Sequence, residues 1–211
     1  IHGIVRDQEG KKMSKSEGNV IDPVDLIQGV DLDTLLLKRT TGLRRPEKAE
    51  AIKTATKKQF PQGMVAYGAD ALRFTMASYA SLGRNINFDL KRCEGYRNFC
   101  NKIWNASRFV LIHAEGEIAS SKEAQESLQF TDRALLIRLN ELIQQLNHAF
   151  DTYRFDLAAQ MLYEFTWNEY CDWYLEFAKV QLKRGEKEAA VTRWVLLSAL
   201  ETLLRLLHPL M

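Results

Sequence analysis

Cysteine is rare in this sequence, charge of one sign is barely in excess, and no long apolar run occurs; each shortage removes a class of protein. The three cysteines, Cys93, Cys100 and Cys171, are odd in number and spaced unlike a zinc ribbon or finger. That argues against a disulfide framework and against a protein-bound metal. A reducing, cytoplasmic setting is expected, with Cys93 and Cys100, one heptad apart, packing as small apolar residues. Formal net charge is only +2, so any nucleic-acid contact has to come from local patches and not from a strongly basic whole. No stretch reaches the roughly 20 apolar residues of a membrane span, and no signal peptide precedes the first residues. No membrane role is expected. The chain starts on Ile1 and its helical pattern runs to Met211 without a polar tail, so it is expected to be a piece of a larger fold.

What is present is a globular composition, 46% hydrophobic and 27% charged over 211 residues, enough for one large or two small domains with their own cores. The most informative stretch is Lys11-Lys12-Met13-Ser14-Lys15-Ser16-Glu17-Gly18-Asn19-Val20-Ile21-Asp22. Between Lys12 and Ser16 lie two ammonium groups and two hydroxyls, followed by Gly18 and Asn19, the residue types that most readily accept a positive φ. Such a loop can turn tightly and aim donors at one phosphate, and lysine's flexible stem suits an anion that moves. A bare K-x-x-K-S pattern describes a solvated, charged turn equally well.

The remaining pattern is helical. Ile1 to Val5 reads as a short strand or extended entry and Arg6 to Gly10 as a turn. Asp22-Pro23 offers an N-cap with proline at the first helical position, and Gly29 a stop. Leu32 to Leu37 and Glu47 to Gln59 read as helices, and Ala69 to Leu82 as a buried one stopped by Gly83-Arg84-Asn85. Ile86 to Asp89 is expected to be an extended connector ending in a capping aspartate.

A long helix is predicted from about Leu90 to His113, with Tyr96, Phe99, Ile103 and Val110 as its apolar stripe, widened by Cys100, Trp104 and Leu111. Asn98, Asn101, Asn105 and Arg108 fall opposite, with Arg97 and Lys102 nearby. Asparagine is a mediocre helix former, so three on one face point either to an external hydrogen-bonding partner such as RNA or to bonds with neighbouring helices. Three more helices are predicted: one carrying Leu135, Leu139, Leu142, Leu146 and Phe150; one from Leu157 to about Leu182, capped by Asp156; and Glu186 to Leu207, with Trp194, Leu197, Leu200, Leu204 and Leu207 as its core. Trp167, Trp173 and Tyr174 read as core residues before they read as base-stacking ones. Short polar connections favour an antiparallel bundle.

Lys12 to Ser16, continued by Gly18 to Pro23, resembles the second signature of class I aminoacyl-tRNA synthetases. The strings Gly95 to Val110, Tyr163 to Tyr174, Gly68 to Phe74 and Gln59 to Gly63 are similar to bacterial valyl-tRNA synthetases. That resemblance implies a mainly α chain made of a KMSKS loop ending a catalytic domain (residues 1–22), a small stem-contact region (23–90) and an antiparallel helical bundle that binds the anticodon (91–211). It implies ligation of valine to tRNA(Val) through an adenylate made from ATP with Mg2+, with tRNA(Val), ATP and valine as partners, and a monomer. Lys15 is the expected catalytic cation, with Lys12 sharing the phosphate load; Met13 is expected against adenine, and Ser14 and Ser16 on phosphate oxygens or bracing the loop. Arg97, Asn98, Asn101, Lys102, Asn105 and Arg108 are the expected tRNA-binding residues. Glu17 departs from the lysine many relatives carry there. The first family signature, His-Ile-Gly-His, is absent, so the chain alone is expected to be inactive. The alternatives at this point are the same region of an isoleucyl or leucyl enzyme and a non-catalytic helical RNA-binding module.

Overall fold

A computed structural model describes residues 3–81 and 85–211. The chain is mainly α and divides into two compact units, one ending at Arg97 and the other beginning at Asn98.

In the first unit, strand β1 (Val5–Arg6) pairs in parallel with β2 (Ile86–Asn87), Val5 opposite Ile86. The segment expected to be only a connector is therefore a strand. Its partner lies some eighty residues away, so no local pattern could announce it. Between the strands come α1 (Pro23–Gln28), α2 (Leu32–Thr40), α3 (Ala49–Gln59) and α4 (Ala69–Tyr79). Asp22 caps α1 by accepting from the Val24 amide at 2.9 Å, Pro23 is its first residue, and Gly29 ends it at φ +79°. Asp31 caps α2 through the Thr34 amide. Leu26, Leu35, Phe60, Met64, Ala71 and Phe74 form the core. Helix α4 ends at Tyr79 and not at Leu82, because the backbone leaves the helical path at Ala80 (φ -75°, ψ 58°); the expected stop at Gly83-Arg84 lies outside the described residues.

Helix α5 (Leu90–His113) gives its first two turns to this unit and the rest to the second. Asp89 accepts from the Lys91 amide at its start. The second unit continues with α6 (Ser121–Ser127), α7 (Phe130–Asp151), α8 (Phe155–Glu164), a π-helical stretch (Phe165–Tyr174) continuing into α9 (Leu175–Gln181), and α10 (Glu186–Leu207). Arg138 meets Glu169 while Thr131 meets Gln181, so α7 runs antiparallel to the α8–α9 rod. Leu135, Leu139, Leu142 and Leu146 fill the core from α7 as their spacing predicts.

Three expectations shift by a residue or more. Asp156 lies inside the first turn of α8, where it accepts two bonds from Arg154 at 2.9 and 2.8 Å instead of capping. On α10 the core is carried by Val195, Leu196, Ala199 and Leu203 beside Leu200 and Leu207, while Leu204 faces solvent. On α5 Phe99 and Val110 are buried, but Trp104 and Leu111 are 68% and 63% exposed and widen no core stripe. The π-helical stretch changes the period at which side chains return to one face. Tyr170 and Tyr174 are both buried and stacked at 6.2 Å, whereas Trp173 is 67% exposed.

Candidate functional site

The lysine loop is held from behind by polar bonds. Asp7 accepts from the amides of Lys11 and Glu9 at 2.8 and 3.1 Å and from the Asn19 side chain at 2.9 Å. Asn19 in turn accepts from the Ser14 amide at 2.9 Å. Partial burial pulls the Asp7 carboxyl up, but the bonds from Asn19, Lys11 and Glu9 outweigh it and keep it below the ordinary carboxylate range. Asn19 is thus an anchor, and it is Gly18 that takes the positive φ, +69°, closing a short 3-10 turn over Lys15–Glu17. A Cβ on Gly18 would stand 2.7 Å from the Arg39 carbonyl oxygen and 2.9 Å from Ile52 Cδ1. Glycine is required by the approach of the loop to α2 and α3 as well as by its φ. The Arg44 amide adds a bond to the Ser16 carbonyl at 3.0 Å.

This frame leaves Lys12 and Lys15 exposed, with Met13, Ser14 and Ser16 half-buried. The Ser14 and Ser16 hydroxyls lie 2.9 Å apart and brace each other. The two lysines do not converge on one hollow. Lys12 lines a hollow of about 810 Å³ between the loop and α3, and Lys15 one of about 370 Å³ walled by Asp22, Asp25 and Lys38. In the latter, Lys38 Nζ donates to the buried Asp25 carboxylate at 2.5 Å, with Asp22 4.0 Å away. The bond to Asp25 pushes the Lys38 ammonium above its ordinary value. Both acids are therefore engaged by Lys38, and among the described residues no ion pair holds Lys15.

In the second unit Asn98, Asn101, Asn105 and Arg108 emerge together on the exposed face of α5. Lys102 is occupied within the fold, donating to Asp172 and lying 4.9 Å from the Trp167 ring centroid. Trp167 stacks on Tyr163 at 5.5 Å. Tyr174 is core and donates to Asp132 at 2.9 Å. In the first unit Arg97 lies over Tyr67 at 5.6 Å and 3.9 Å from Glu94. Of the expected RNA-facing residues, the amides and Arg108 are presented to solvent while Lys102 and Arg97 have structural partners.

Residues 1–89 match the family model of class I tRNA synthetases (I, L, M and V), and residues 132–211 match that of the anticodon-binding domain of tRNA ligase. The chain belongs to the class I tRNA synthetases. Along its whole length it is 63% identical to the valine–tRNA ligase of Laribacter hongkongensis, 62% to that of Neisseria gonorrhoeae and 54% to that of Acinetobacter baylyi. It spans 23%, 23% and 22% of those relatives, about a quarter of their length. The structural roles of two residues, one on α2 and one in the loop, were not legible in sequence. Arg39 is buried although its neighbours Lys38 and Thr40 give no sign of it, and Asn19 anchors where its type suggested only a turn.

Proposed function

We propose that the chain is the segment of a valine–tRNA ligase that supplies the ATP-phosphate loop and the anticodon-binding helices. The observation that carries this reading is identity above 60% to valine–tRNA ligases over the full chain, including the loop whose Lys15 stands exposed on a braced frame. In the reaction, the valine carboxylate attacks the α-phosphate of ATP, and pyrophosphate leaves. Charge builds on the leaving group, so a lysine that meets it only then lowers the barrier without tightening ATP binding. A unit charge pair at about 4 Å in an effective dielectric near 20 is worth on the order of 4 kcal/mol. Lys15 takes that role, Lys12 shares the phosphate load, and Met13 lies against adenine. Mg2+ enters with the nucleotide.

The valyl-adenylate is then consumed by tRNA(Val), whose unpaired anticodon bases meet Asn98, Asn101, Asn105 and Arg108 through amide and guanidinium bonds. The decisive experiment is pre-steady-state adenylate formation by the intact ligase carrying Lys15→Ala. The rate is expected to fall by about two to three decades with valine affinity unchanged; a rate within about threefold of wild type removes the role. The 211-residue chain alone is expected to show no valine-dependent pyrophosphate exchange.

A further inference from the structure

The larger hollow beside the loop carries a charge that its surroundings leave unanswered. Arg39 is only 8% exposed, and its guanidinium lies 5.1 Å from the Phe60 ring centroid. Nη1 reaches only neutral acceptors, Thr56 Oγ1 at 3.3 Å and Gln59 Oε1 at 3.4 Å, and the buried Nε has no partner. Among the described residues no carboxylate lies within salt-bridge distance of it. Burial pulls this guanidinium below its ordinary value, yet arginine stays protonated at neutral pH. A buried charge is costly unless something pairs with it.

Arg39, Thr56 and Gln59 all line the 810 Å³ hollow, so the guanidinium stands in its wall. Exposed Lys12, Lys48 and Lys58 lie around the same hollow. Of its three acids, Asp7 is engaged by Asn19 and Glu9 by Lys11 at 2.6 Å, which leaves Glu17. Lys15 does not line it. We propose that this hollow is a second anion site, in which a phosphate group seats against the Arg39 guanidinium with lysines at its mouth. Arginine's fixed fork matches phosphate, and several lysines around so large a space suit a ligand carrying more than one phosphate. The site goes beyond the ATP-phosphate role of Lys15: it has Lys12 in common with that reading but rests on Arg39, which that reading does not use.

The test follows the arginine Nε–Hε signals of the 211-residue chain by nitrogen–proton correlation spectroscopy. Inorganic pyrophosphate is titrated in one arm and a short single-stranded oligouridylate in the other. The Arg39 signal, assigned by its loss in Arg39→Lys, is expected to move saturably, and binding is expected to weaken with salt. Response to pyrophosphate alone identifies a small polyphosphate ligand, and response to oligouridylate an RNA backbone; either supports the site. Isothermal titration calorimetry, which does not need the Arg39 signal, is expected to show binding weakened about tenfold in Arg39→Lys and about threefold in Lys58→Gln, whereas Lys15→Ala leaves the ligand-induced movement of the Arg39 signal unchanged. The proposal is overturned by an Arg39 signal that neither ligand moves. It is equally overturned if Lys15→Ala abolishes binding while Arg39→Lys retains it, or if Glu17→Gln moves the Arg39 signal without ligand, since Glu17 is then its counter-ion.

Discussion

Replacing Gly18 by alanine tests whether the lysine loop is held by its close approach to α2 and α3. The φ of +69° costs an L-residue about 1–2 kcal/mol. The added methyl would meet the Arg39 carbonyl oxygen at 2.7 Å and Ile52 Cδ1 at 2.9 Å. Ile52 can rotate, but the carbonyl belongs to the last turn of α2 and cannot retreat without loosening it. Overpacking of this kind costs about 1–3 kcal/mol, so the docked loop loses about 2–5 kcal/mol in all. That corresponds to at least about a thirtyfold rise in the undocked population. Native-state hydrogen exchange reads it at the Arg44 amide, whose acceptor is the Ser16 carbonyl, and at the Ser14 amide, whose acceptor is Asn19 Oδ1. Both should lose protection while the α7 core amides keep theirs. Gly42→Ala is the control, because Gly42 has φ +71° and nothing within 4 Å of an added Cβ, and so isolates the backbone term. Arg44 protection within about threefold of wild type in Gly18→Ala would refute the reasoning, as would equal effects from the two substitutions.

Tyr174→Phe should destabilise the second unit by about 1–3 kcal/mol, because it leaves fully buried Asp132 short of the donor now 2.9 Å away. In urea unfolding, a double-mutant cycle with Asp132→Asn should show strong coupling, and simple additivity would contradict the bond. Asp7 has a lowered folded pKa, so its stabilisation is present above the ordinary carboxylate pKa and lost as pH falls through the lowered value. The Asn19 side-chain amide signal should therefore shift below about pH 4, and a pH-independent signal in wild type would argue against the anchor. Burial pushes the Cys171 thiol up to about 11, with Lys102 opposing and Asp172 reinforcing that rise. Its contribution to stability is complete below the unfolded thiol's pKa and lost as pH rises toward the folded value. Iodoacetamide at mildly alkaline pH should modify Cys171 only after unfolding; alkylation of the native protein at the rate of a free thiol would exclude its burial.

Much of this protein is legible in one dimension because its signals are local. Asp22-Pro23 before an apolar turn dictates the start of α1. Leucines at 135, 139, 142 and 146 dictate the buried face of α7, since a regular helix returns a side chain to the same side every three to four residues. The lysine loop is recognisable from its run of residue types alone, and with the long-helix string it determines the family. What only the tertiary structure decided depends on residues distant in sequence or on a changed helical period. Ile86–Asn87 becomes a strand because Val5–Arg6 lies beside it. Trp173 faces solvent because a π-helical stretch resets the spacing that a 3.6-residue pattern assumes. Asn19 becomes an anchor because Asp7 is folded back against it, and Arg39 becomes a buried, unpaired charge because Phe60, Thr56 and Gln59 close around it. A residue's type and spacing predict which face of an element it occupies, whereas its charge environment is set by whatever the rest of the chain places opposite.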